Sequence, residues 1–308
     1  MGFLGVCAQL WIMNELSKLT GVKKTYLGFQ PSFDDAKVVV VPVPYDATAS
    51  YGSGTRYGPS AIIEASSQLE LYDIELGKNT CDSLPVYTMD ELAISKGSPE
   101  KTLETVKQAV GRIRELGKRP VVLGGEHSIT SGAVAGLGEK VSVLQIDAHA
   151  DLRDSYEGTK YSHASVMRRI HEMSDEVVQV GIRSMSDEEA EFAKEKKVDI
   201  FYADQLIQNK ENGRISKGDI EKIASKLTGN LYVTVDVDGF DPSVVPGTGT
   251  PEPGGLLWHD VLDIMRAVSS KNVVGFDIVE VLPSPPFRTS EFLAAKLAYK
   301  MMGYFWST

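Results

Sequence analysis

Cysteine is nearly absent from this chain. Cys7 and Cys81 are the only two in 308 residues, with no paired spacing and no neighbouring Cys/His cluster. That argues against a disulfide framework and fits a reducing compartment. Long apolar runs are missing too: none approaches the roughly 18 residues needed to cross a bilayer, so no membrane partner is expected. The apolar stretch 3–13 lacks a basic n-region and a small-residue cleavage pattern, so it does not read as a signal peptide, and a cytoplasmic chain is the expectation. Positive charge is in deficit, with 32 Lys and Arg against 42 Asp and Glu for a net charge of −10. Nucleic acid is disfavoured as a partner, because neutralising phosphates needs a basic face. An acidic surface either helps to draw in a cation or simply keeps the chain soluble. No Gly-x-x-x-x-Gly-Lys-Ser/Thr loop occurs, nor a Gly-x-Gly-x-x-Gly after a strand, so nucleotide binding has no motif behind it. There is no linker, repeat or low-complexity tract. Residues 1–308 therefore read as one domain, with 1–36 an N-terminal arm or extension and 37–308 the core.

What is present is a set of short β-rich runs at 36–43, 121–125, 141–147, 177–182, 231–236 and 273–279, with a weaker one at 199–202. Several are apolar throughout, as strands buried on both faces are. Helical periodicity lies between them at 99–116, 187–196, 217–227, 259–268 and 290–302. Strands alternating with helices of this length point to an α/β fold, a mostly parallel sheet with helices on both faces.

Four of these runs end in acids or histidine. Val141–Ile146 leads into Asp147-Ala148-His149-Ala150-Asp151, Leu231–Val235 into Asp236-Val237-Asp238, Val121–Gly125 into Glu126-His127, and the last run into Glu280. In an extended chain residues two apart project to one side, so Asp147, His149 and Asp151 should converge, as should Asp236 and Asp238. Any one of these alone is an ordinary cap or turn acid. Together they are not, because like charges about 4 Å apart repel by about 4 kcal/mol at an effective dielectric near 20. Two divalent cations would balance four aspartates. Carboxylates with two imidazoles and no thiolate favour manganese or magnesium, the imidazoles tipping the choice toward manganese, while cobalt, nickel or zinc remain able to bind. His163, just after the 153–162 loop, is either a cap or a proton shuttle beside the metals. Asp277 reads as a structural hydrogen-bonding acid within its strand.

The ordered set Val43-Pro44-Tyr45-Asp46, Ser50-Tyr51-Gly52-Ser53-Gly54-Thr55-Arg56-Tyr57-Gly58-Pro59, Gly124-Gly125-Glu126-His127-Ser128, Asp147-Ala148-His149-Ala150-Asp151 and Asp236-Val237-Asp238-Gly239-Phe240-Asp241-Pro242 closely resembles the ureohydrolase family, which includes arginase and agmatinase. The resemblance runs from about Val41 to Met302. It implies a three-layer α/β/α sandwich, two Mn2+ ions per subunit and assembly as a homotrimer or homohexamer. It places His127 and Asp151 on one ion, His149 and Asp238 on the other, and Asp147 and Asp236 on both, with a hydroxide between the ions as nucleophile. Glu280 would hold the guanidinium, Asp151 would pass a proton to the departing amine, and His163 would relay protons with solvent.

The same resemblance bears on the substrate. Arginases meet the amino-acid end of arginine partly through an aspartate after the Gly-Ile/Leu-Arg strand, and here Ser184 follows Gly181-Ile182-Arg183. The 154–163 loop is similar to that of agmatinase, and it offers Asp154 or Glu157 to a distal ammonium. Agmatine, giving urea and putrescine, is the expected substrate. A guanidino acid such as guanidinobutyrate, or arginine, is the alternative, and a non-catalytic binding subunit the remote one. Pro285-Pro286-Phe287-Arg288 stands where an acid is common in the family, a departure expected at the pocket rim.

Overall fold

The computed structural model describes residues 24–307. Eight strands among them form one sheet: β1 (Val38–Val43), β2 (Val86–Thr88), β3 (Arg119–Gly124), β4 (Ser142–Ile146), β5 (Glu176–Ile182), β6 (Asp199–Tyr202), β7 (Asn230–Asp236) and β8 (Asn272–Val279). Their order is 2-1-3-8-7-4-5-6, and every neighbouring pair is parallel. The helices are α1 (Gly58–Ser66), α2 (Pro99–Glu115), α3 (Ile129–Gly136), α4 (Val166–Met173), α5 (Asp187–Lys196), α6 (Ala203–Gln208), α7 (Lys217–Lys226), α8 (Trp258–Val268) and α9 (Thr289–Trp306).

The β-branched runs explain the layering. Successive residues of a strand face opposite sides. Val38 and Val40 accordingly enter one core with Ile62 of α1, Ile223 of α7, Val261 of α8 and Ala298 of α9. Val39, Val41 and Val43 enter a second core with Val106 of α2, Ala133 of α3, Met167 of α4 and Phe192 of α5. Two apolar cores on the two faces of one sheet make the three-layer α/β/α sandwich expected above.

Of the expected N-terminal arm, residues 1–23 and Cys7 with them lie outside the described residues. Beyond that point Tyr26 and Leu27 are buried, and the Tyr26 hydroxyl donates to the Ala295 carbonyl of α9 at 2.7 Å. No helix among the described residues is long and apolar enough to cross a membrane.

The four central strands are β3, β8, β7 and β4. Val235 stands level with both Ile146 and Ile278, and Ile278 with Leu123. Because the strands are parallel, their C-terminal ends share one edge of the sheet, where open α/β sheets bind ligands.

Candidate metal and active site

Each acidic motif is shaped by its own first aspartate. β4 ends at Ile146, and the Asp147 carboxylate accepts the His149 amide at 2.6 Å. β7 ends at Asp236, whose carboxylate accepts the Asp238 amide at 3.0 Å. Both are tight turns in which an aspartate bonds the backbone two residues on. Convergence was expected from strand alternation; it arises instead from these turns beyond the strand ends. Gly239 lets the two turns meet, since a Cβ there would lie 2.8 Å from the Asp147 nitrogen. Asp151 adopts φ 54° and Glu280 φ 62°, left-handed conformations uncommon in non-glycine residues.

The side chains fall into two groups. His127 Nδ1 lies 3.0 Å from Asp147 Oδ2, 3.2 Å from Asp151 Oδ2 and 3.4 Å from Asp236 Oδ2. His149 Nδ1 lies 3.0 Å from Asp238 Oδ2 and 3.7 Å from Asp147 Oδ1. Asp147 takes part in both, so its carboxylate stands between the imidazoles. The first group is buried, whereas the His149 side chain is 26% exposed.

The His127 tautomer tests whether a cation fits. The Thr234 hydroxyl donates to Asp277 at 2.6 Å, and its oxygen lies 2.9 Å from His127 Nε2 and accepts that nitrogen's proton. Tyr232 donates to the other Asp277 oxygen at 2.9 Å, so Asp277 is the structural acid expected from the sequence. This leaves Nδ1 buried, without a hydrogen-bond partner, against three carboxylates. A lone pair facing anions is repulsive, so either a proton or a metal cation must sit there. Without metal, burial opposes the imidazolium, but Asp147, Asp151 and Asp236 outweigh it and raise the His127 pKa. Burial, then the charge of Asp147, pushes Asp151 up to about 7. The donor set therefore suits divalent cations, and the hydrogen-bonded chain His127–Thr234–Asp277 is of the kind that orients a metal-binding imidazole.

Glu280 and His163 flank the groups. Glu280 Oε1 accepts the His127 amide at 2.7 Å, and burial, then the charge of Glu126, raises its pKa. The His163 amide donates to Thr48 Oγ1 at 3.3 Å, and its Nε2 lies 3.4 Å from Ser50 Oγ. Burial lowers the His163 pKa to about 4, so the ring is neutral at pH 7. A cavity of about 240 Å3 opens onto His127, His149, Asp151, Asp236, Asp238, Glu280 and His163, and is also lined by Tyr51, Arg153, Tyr156, Ser184 and Met185. Neither Asp154 nor Glu157 lines it, and Asp154 is engaged by Arg169 at 2.8 Å. Pro285-Pro286-Phe287-Arg288 is exposed and does not line the cavity either, so the departure from the family pattern falls away from its wall.

Two further acids, Glu126 and Glu189, brace the site without having been given a role from the sequence. Buried Glu126 accepts from Thr48 and Ser128, tying the 46–54 segment to the end of β3. Glu189 caps α5 by accepting the Ser186 amide and also accepts the Leu152 amide at 2.9 Å, beside Asp151. The Ser186-x-x-Glu189 capping box is legible in the sequence and would have pointed to it.

Residues 36–303 match the family described as the Arginase family. The chain belongs to the arginase family. It is 42% identical over 303 residues to the N(1)-aminopropylagmatine ureohydrolase of Synechocystis, covering 95% of this chain and 97% of that protein. It is 35% identical to the agmatinase of Pyrococcus horikoshii, covering 91% and 97%. Among solved structures, the agmatine ureohydrolase of Thermoplasma volcanium superposes with a TM-score of 0.85 at 36% identity, covering 95% and 97%. This arginase-family chain is thus a hydrolase, of a metal-dependent family, with His/Asp groups placed to take metal.

Proposed function

We propose that this chain releases urea from the guanidinium end of an agmatine-type amine, with N(1)-aminopropylagmatine preferred and manganese as its metal. The reading rests above all on the orphaned His127 Nδ1 at the floor of a cavity shared with Glu280. His127 and Asp151 would hold one ion, His149 and Asp238 the other, with Asp147 and Asp236 shared. When bound, the pair supplies a nucleophile by lowering the pKa of a water from 15.7 to about 7.

The chain's own groups do the rest. A guanidinium is a delocalised cation and a poor electrophile, so it must be held in line for attack. Glu280 is fixed through Oε1 by the His127 amide, which leaves its other oxygen for a charge-assisted bond to the substrate. Asp151 would hand a proton to the departing nitrogen, and His163 would exchange protons with solvent. His163→Ala is expected to lower kcat by about 10²-fold, with a changed pH–rate profile and partial rescue by added imidazole. An unchanged profile would remove the shuttle from the account.

The far end of the substrate meets tyrosine, serine and methionine. Ser184 supports a substrate lacking an amino-acid end, and Tyr51, exposed on the cavity lining, is compatible with a lengthened amine. The Synechocystis relative favours the aminopropyl form, and the agmatinase relatives make agmatine itself the second reading. The test is kcat/KM for urea release from N(1)-aminopropylagmatine, agmatine, guanidinobutyrate and arginine. The expected preference for the first over agmatine is about 10-fold. Agmatine in front would select the second reading; arginine or guanidinobutyrate in front would sink both.

A further inference from the structure

Arg183 follows β5, yet its guanidinium spends its donors on the loop after β7. Nη2 donates to the carbonyls of Asp238 at 2.7 Å, Glu252 at 2.8 Å and Phe240 at 3.2 Å. Nη1 donates to Gly181 at 3.0 Å and Gly239 at 3.4 Å, and Nε to Pro253 at 3.1 Å and Glu252 at 3.3 Å. The loop it gathers, 240–255, is rich in proline and glycine and contains no helix or strand. Apart from Arg183, its neck is held by the Asp241–Leu256 and Leu256–Gly239 backbone bonds and by Asp241 accepting the Gly254 and Gly255 amides.

We propose that Arg183 is a positioning residue for the open metal position: by fixing the Asp238 main chain it sets the Asp238 carboxylate against His149. The inference rests on the metal reading above. The two positions differ in what supports them. His127 is oriented by Thr234 and Asp277 inside the sheet, with no contribution from Arg183. The other position depends on His149, on the shared Asp147 and on Asp238, whose backbone Arg183 grips. Loss of Arg183 should therefore affect the two positions unequally. Lysine cannot substitute fully, because an ammonium offers three donors around one point where the guanidinium spreads five in a plane.

Metal-free parent, Arg183→Lys and Arg183→Gln are titrated with Mn2+, reading metal content and the electron paramagnetic resonance spectrum, with amide hydrogen exchange of the metal-free proteins alongside. The parent takes up two equivalents and shows an exchange-coupled pair. In the variants the second equivalent weakens by about 10- to 100-fold, while the first stays within about three-fold, on the order of the ordinary context-dependence of one interaction. At one equivalent the spectrum is that of an isolated ion, and exchange quickens across 239–256. Two equivalents bound as in the parent, or both weakened alike, overturns the proposal. Should the glutamine variant not fold, Arg183→Lys decides, since it keeps the charge. A parent that takes up no manganese overturns the metal reading instead, and the exchange data then decide by themselves whether Arg183 pins the loop.

Discussion

Glu280→Gln is expected to reduce kcat/KM for urea release by about 10²- to 10³-fold, the scale of removing one member of a buried hydrogen-bonded charge pair, with manganese content unchanged. The geometry makes glutamine a poor mimic here. Glu280 Oε1 is committed to the His127 amide at 2.7 Å, so the glutamine carbonyl takes that place and its NH2 group turns to the substrate. A donor then faces the N–H groups of a guanidinium, and the charge that drew the cation in is gone. Burial, then the charge of Glu126, already raises the Glu280 pKa. Metal analysis of the purified variant separates the roles: loss of metal along with activity would mean that Glu280 had been misassigned.

The second large effect belongs to Asp147. Its two oxygens face the two imidazoles, Oδ2 toward His127 at 3.0 Å and Oδ1 toward His149 at 3.7 Å. Asp147→Asn keeps the shape, removes one charge and turns one oxygen into a donor aimed at a cation. Metal uptake is expected to fall below one ion per chain and turnover by more than about 10³-fold, because both halves of the proposed two-metal site would fail together. The fold is expected to persist, since the substitution also removes a charge that disfavours ionisation of Asp151, Asp236 and Asp238. Metal content and circular dichroism check this; an asparagine variant that still binds two ions would take Asp147 out of the shared position.

The sheet was legible where the residues are β-branched. The runs at 231–236 and 273–279 differ from β7 and β8 by one residue at the N-terminal end, and 199–202 coincides with β6. β2 was missed: it is three residues long, lies at the sheet edge and carries no run to announce it. α3 was missed for the opposite reason. Ile-Thr-Ser-Gly-Ala-Val-Ala-Gly is small and buried nearly all round, so no apolar stripe stands out. The six residues proposed to hold metal stood out because their types and spacing are chemically unusual, although the tight turns that gather them were not foreseen. The contacts of Glu126 and Arg183 stayed hidden because their partners are distant in sequence. Thr48 and Glu126 are 78 residues apart, and Arg183 reaches across 55 residues to Asp238. Such contacts follow from the order of strands in the sheet rather than from any local pattern.

The most direct test of the account is an anomalous difference map from crystals of the manganese-loaded protein. Two peaks are expected, about 3.5–4 Å apart as in two-metal sites, one against His127 Nδ1 and one against His149 Nδ1, with Asp147 between them. A single peak, or density away from these side chains, would contradict it.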